Sequence, residues 1–127
     1  MQKVQISTEL APAAIGPYSQ AVRVGELVFF SGQIPLDPVS GELAGTGIAE
    51  QTEQVMKNMR AVLQAAGLGF EHIVKATIYL VDLNAFAVVN EIYGRFFTNL
   101  PPARACVQVA ALPKGSLVEI EWIAVSA

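Results

Sequence analysis

Arg104, Cys106, Glu119 and Glu121 are the residues of this 127-residue chain whose types and spacing could do chemistry. They stand in the stretch PPARACVQVAALPKGSLVEIEW, residues 101–122, which reads as strands over 103–109 and 117–125 joined by a turn at Pro113-Lys114-Gly115. Arg104 and Cys106 are two apart, so a strand projects both from one face, about 6–7 Å from each other. Glu119 and Glu121 share a face of their own strand for the same reason. A guanidinium, a thiol and two carboxylates thus sit among Val, Ile, Leu, Ala and Trp. Burying an unpaired ion costs on the order of several kcal/mol. Either these groups pair with one another or they await a charged ligand.

The pairing alternative is a plain cross-strand Arg–Glu contact that fixes register. In a direct hairpin around Pro113, Cys106 would lie opposite Glu119 and Arg104 opposite Glu121. The connection is long for a hairpin, so a third strand between the two is the other arrangement open.

The elements that must position these groups follow in chain order. A short edge strand is expected over 4–7, then an ordered loop over 11–20, APAAIGPYSQ, whose Pro and Gly content marks it. Residues 21–24 and 27–31 read as a hairpin around Gly25-Glu26. In its second strand Leu27 and Phe29 face one way and Val28 and Phe30 the other, and apolarity on both faces predicts burial on both. Gly32 ends that strand and removes a side chain where backbone could approach a ligand; easing the strand end is the plainer role. A helix over 48–66 carries Val55, Met56, Met59, Val62, Leu63 and Ala66 on one face, with Gly67 at C′ and the methionines read as core. A strand follows over 73–81. Asp82 or Asn84 then caps a helix over 85–97, with Phe86, Val89, Ile92, Tyr93 and Phe96 inward and Asn90 beside that stripe.

The order β-β-β-α-β-α-β-β predicts an α+β fold, a mixed sheet of about six strands with two helices on one face. Right-handed crossovers traversing the sheet in opposite senses are expected to place the helices together. The bare face becomes an oligomer surface. Composition agrees: 53% of residues are hydrophobic and only 15% charged, against about 25% charged in ordinary domains. So little charge leaves part of a monomer's surface to be covered by another subunit.

The length fits one domain, residues 1–127. There is no apolar run of membrane-spanning length and no signal-like start, and the one cysteine suits a reducing cytoplasm. One Cys and one His leave no ligand set for a dedicated zinc or iron–sulfur site. His72 reads as a surface or packing residue. A net charge of −3, with Lys and Arg scattered singly, offers no basic stripe for nucleic acid.

Four separated segments, IGPYSQA at 15–21, SGQIP at 31–35, PARACV at 102–107 and EIE at 119–121, closely resemble the RidA (YjgF) family of reactive-intermediate deaminases. The resemblance implies a chorismate-mutase-like fold assembled as a homotrimer with ligand clefts between subunits. It implies hydrolysis of 2-imino acids, the tautomers of 2-aminoacrylate and 2-aminocrotonate, to 2-keto acids and ammonia, protecting pyridoxal-phosphate enzymes. Arg104 matches the carboxylate-binding arginine, for which a guanidinium's paired donors are suited. Glu119 matches the proton relay, with the backbone carbonyl of Cys106 holding the attacking water. Ser31 and the Gly32 backbone would meet the substrate carboxylate, and Tyr18 and Asn90 match further cleft positions. Parity alone leaves Glu121 open as the relay. An imine is already electrophilic, so neither metal nor cofactor is expected. A nucleophilic Cys106 has no histidine nearby in sequence to activate it.

Two other functions compete. The same cleft could bind small carboxylates such as keto acids and report on metabolism without turnover. A ribonuclease or translation inhibitor, reported for some relatives of this family, fits poorly with the acidic charge.

Overall fold

The computed structural model describes residues 1–126. Six strands form one sheet: β1 (Lys3–Ile6), β2 (Ala21–Val24), β3 (Leu27–Gln33), β4 (Ile73–Leu80), β5 (Ala103–Gln108) and β6 (Val118–Val125). Their order across it is β1-β2-β3-β6-β4-β5, antiparallel everywhere except β4 beside β5. Helices α1 (Ile48–Ala65) and α2 (Phe86–Gly94) complete the expected element order. The fold is α+β.

β4 lies between β5 and β6, so the two chemistry-bearing strands are not a hairpin. Ile78 on β4 stands opposite Cys106 on one side and Ile120 on the other. Ala76 likewise faces Arg104 and Trp122, while Tyr79 faces Val107 and Glu119. Paired residues share a face. Arg104 and Cys106 therefore belong with Ile120 and Trp122, and Glu119 and Glu121 belong to the opposite face.

The first of these faces carries the core. Val28, Phe30, Ala76, Ile78, Leu80, Val118, Ile120, Trp122 and Ala124 are buried there. Val55, Met56, Met59, Val62 and Leu63 of α1, with Val89, Ile92 and Tyr93 of α2, join them in one cluster. Phe30 stacks on Trp122 with centroids 4.7 Å apart. The helices thus cover one face, as expected, but not by crossovers of opposite sense. β3 and β4 both run antiparallel to β6, hence parallel to each other, and β3-α1-β4 and β4-α2-β5 step the same way across the sheet. Right-handed crossovers between parallel strands put helices together when the steps agree.

α1 ends as its sequence predicts. Gly67 takes φ 76°, its N–H donates to the Gln64 carbonyl and that of Leu68 to the Leu63 carbonyl, so orphan carbonyls are satisfied. α2 is shorter than its apolar stripe: the Asp82 side chain caps a 3-10 turn, Leu83–Ala85, and the helix stops at Gly94. The face away from the helices leaves Leu27 and Phe29 exposed at 41% and 43%. Burial of β3 on both sides does not occur within one chain.

Candidate active site

A bulge builds the first half of the site. Phe30 pairs with Trp122 and Gln33 with Ile120, so Ser31 and Gly32 together oppose the single residue Glu121. The extra residue kinks β3 and turns Gly32 towards Glu119. A Cβ at Gly32 would fall on the Glu119 carboxylate, 2.9 Å from its Cδ. Glycine is needed here for space to hold the glutamate, a more specific role than easing a strand end.

Glu119 lines a cavity of about 480 Å³ with Tyr18, Ser31, Gly32, Ile34 and Lys114. It is half-buried, and burial raises its pKa above the usual 4.5, with the Glu121 charge adding to the rise. Glu121 itself is exposed and accepts a 2.6 Å hydrogen bond from the Tyr79 hydroxyl. That phenol is held up at about 12, first by this bond and then by burial. The geometry separates the two glutamates: Glu119 borders the cavity, whereas Glu121 is engaged by Tyr79.

Tyr18 stands half out of the surface at the cavity rim, its hydroxyl accepting from the Ile15 N–H at 3.3 Å. Ser31 is less free than expected. Its hydroxyl donates to the Ser19 carbonyl at 2.5 Å and its N–H to the Gln20 carbonyl at 3.0 Å. Ser31 ties the Tyr18 loop to β3. Gln20, which reads in the sequence as the last residue of a loop, is the larger anchor. Its buried amide donates to the carbonyls of Thr8 and Pro12 and accepts from the Thr8 N–H. Gln51 and Asn58 of α1 do similar work, receiving the Leu117 N–H and donating to the Ile34 and Leu36 carbonyls. The signal was a polar residue on the buried side of α1.

The second half lies at the sheet edge. Arg104 reaches from β5 onto α2, where its Nη1 donates to Asn90 Oδ1 at 2.7 Å. No carboxylate pairs with it among the described residues. Of the two arrangements the sequence left open, the Arg–Glu cross-strand pair is not formed among the described residues, because β4 intervenes and the partners occupy opposite faces. Cys106 is half-buried and free, with burial pushing its thiol pKa up against the opposing Arg104 charge, so it rests as a thiol, a poor nucleophile.

One chain therefore brings together Tyr18, Ser31, Gly32 and Glu119, and separately Asn90, Arg104 and Cys106. It does not join the two groups. They project from opposite faces, with β4 between β5 and β6, a separation of about 9–10 Å across two strand spacings. A cavity of about 600 Å³ between Arg60, Phe70 and the 96–100 segment contains neither group. Among the described residues no cluster of three His, Cys, Asp or Glu could hold a metal ion.

Residues 8–126 match the family model described as endoribonuclease L-PSP. A mouse 2-iminobutanoate/2-iminopropanoate deaminase is 56% identical over 94% of this chain and 89% of its own. Protein DfrA of Myxococcus xanthus is 58% identical over 99% and 98%. A crystal structure of YyfA, from the conserved Rid protein family of Yersinia pestis, superposes with a TM-score of 0.96 at 49% identity, covering 98% of this chain and 99% of its own. The chain belongs to the Rid family. In this Rid chain the matched span takes in both groups of site residues, from Tyr18 to Glu119. It also takes in the bulge and the buried amides that hold them.

Proposed function

We infer that this Rid-family chain is a 2-imino acid deaminase, hydrolysing 2-iminobutanoate- and 2-iminopropanoate-like substrates to 2-keto acids and ammonia. The observation that carries the reading is the 56% identity to a mouse protein of that activity. The site chemistry agrees. Arg104, with one donor on Asn90 and no acidic partner among the described residues, keeps the rest of its fork for a substrate carboxylate. Glu119, with raised proton affinity, takes a proton from water as it attacks the C=N carbon and returns it to the nitrogen. Glu119 then passes the hydroxyl proton of the carbinolamine to the amine, and collapse breaks the C–N bond, releases ammonia and leaves the ketone. The C=N carbon is electrophilic already, so the step calls on no metal or cofactor. The Cys106 carbonyl would orient the water, the Gly32 N–H would meet the carboxylate while Ser31 ties the Tyr18 loop beside it, and Tyr18 would close over the ligand.

A complete site then needs two copies of the chain. The edge bearing Arg104, Asn90 and Cys106 from one copy would meet the cavity bearing Glu119, Gly32 and Tyr18 of another. The exposed Leu27 and Phe29 on the uncovered sheet face support such an assembly. A homotrimer with three inter-subunit clefts, working in the cytoplasm to protect pyridoxal-phosphate enzymes, is the form proposed. No helix among the described residues is long and apolar enough to cross a membrane. The family description also names an endoribonuclease, but a net charge of −3 without clustered cations disfavours nucleic acid as a partner.

The test generates 2-aminoacrylate or 2-iminobutanoate in situ with a serine/threonine dehydratase under semicarbazide trapping. The unmutated protein should suppress semicarbazone formation and Arg104→Ala should not. No suppression by the folded, assembled protein would put the carboxylate-binding module in first place.

A further inference from the structure

The Arg104 guanidinium rests against one stripe of α2. Phe86, Asn90 and Tyr93 stand at i, i+4 and i+7, a spacing that stacks them on a single helix face. The guanidinium carbon lies 5.4 Å from the Phe86 ring centre and 5.2 Å from that of Tyr93, while Asn90 takes Nη1 from between. Phe86 is half-buried against the core and Tyr93 is only 4% exposed, so both rings pack on the interior of the chain with no ligand present. Tyr93 also packs on Phe97, with centroids 4.6 Å apart. Its hydroxyl is buried with no hydrogen-bond partner among the described residues. The ring, not the hydroxyl, is the part in use.

An exposed arginine on an edge strand would ordinarily sample many rotamers, and a ligand would have to freeze them at its own expense. Here, among the described residues, the cation has no acidic partner. What holds it is two aromatic faces and one amide, all from α2.

We propose that Phe86 and Tyr93 are positioning residues of the carboxylate site, an aromatic cradle that pre-orders Arg104 so that its free N–H donors face outward from the sheet edge as a fork. The inference rests on the reading of Arg104 as the carboxylate-binding group. It adds two ring-bearing positions outside that set and assigns them a cause: they lower the ordering cost of binding and take no part in proton transfer.

The cradle has a signature that ordinary core packing lacks. Phe86→Leu keeps apolar bulk and removes one ring face. It should raise KM for the imine, and Kd for 2-oxobutanoate, about two- to fivefold, the range expected of an exposed cation–ring contact. The kcat should stay within about twofold, since Glu119 is untouched. Phe86→Tyr restores the ring and should restore KM. Tyr93→Phe should behave as unmutated protein and Tyr93→Leu like Phe86→Leu. Binding of the neutral amide of 2-oxobutanoate should not respond to any of these changes.

The direct experiment reads the Arg104 Nε–Hε correlation by NMR in the ligand-free protein. A resolved, slowly exchanging signal is expected in the unmutated chain, Phe86→Tyr and Tyr93→Phe, and a broadened or averaged one in Phe86→Leu and Tyr93→Leu. An Arg104 equally ordered in the two leucine variants overturns the proposal. This measurement uses no substrate, so it judges the cradle separately from the deaminase reading, which fails on a different result, absence of imine turnover by the unmutated protein.

Discussion

At the scale of single residues, period-two alternation makes part of the site legible. It places Arg104 with Cys106 and Glu119 with Glu121. Parity within a strand says nothing about its relation to another strand, however, so the opposite faces of the two pairs were not readable. Nor could alternation choose between the glutamates. The structure separates them by environment, one at a cavity wall and one bonded to Tyr79. If Glu119 relays the proton, Glu119→Gln should bind 2-oxobutanoate with unchanged affinity and lose turnover by about 10²–10⁴-fold. Equal turnover in that variant would remove Glu119 from the mechanism. The pH dependence follows from the same surroundings. A general base must be ionised, so kcat/KM should fall as pH drops through the Glu119 pKa, which lies above 4.5. Burial is the larger cause and the Glu121 charge the second, with the Tyr79 hydroxyl and Lys75 on the same sheet face. Glu121→Gln removes a neighbouring negative charge and so should move the acid limb to lower pH, without abolishing the part due to burial. An unmoved limb would show that the two carboxylates are not coupled.

At the scale of elements, the sequence announced a glycine at the end of β3 but not the bulge that makes it useful. A bulge depends on which residues the partner strand offers, and that pairing is long-range. Gly32→Ala should leave the fold intact by circular dichroism and push the Glu119 carboxylate from its place. A displacement of about 1 Å costs about 10²-fold in turnover where geometry governs the step. Normal activity from a folded Gly32→Ala protein would show that the glutamate has room to spare. The buried amides were harder to foresee. Gln20 reads as loop composition, yet its side chain holds the Thr8 and Pro12 backbone that carries the Tyr18 loop. Gln51 and Asn58 sit among the buried residues of α1, and each satisfies backbone groups of segments bordering the site. Helix lengths shifted for a local reason: the apolar stripe continues through Phe96, but the backbone leaves α2 at Gly94.

At the scale of the whole molecule, element order foretold a mixed sheet with helices on one side. It could not foretell that β6, last in the chain, inserts between β3 and β4. That insertion puts Glu119 beside the Gly32 bulge, and β4 then separates β6 from the Arg104 strand. The scarcity of charge and the two apolar faces of β3 are legible as a surface wanting cover. The central claim is that a working site takes Arg104 from one copy and Glu119 from another. The most direct measurement mixes inactive Arg104→Ala and Glu119→Gln proteins under conditions of subunit exchange, verified by native mass spectrometry, and assays imine turnover. Shared sites predict recovery to about a quarter of unmutated activity at equal mixing, because one cleft in four pairs an intact arginine with an intact glutamate. Exchanged oligomers that stay inactive would contradict the account.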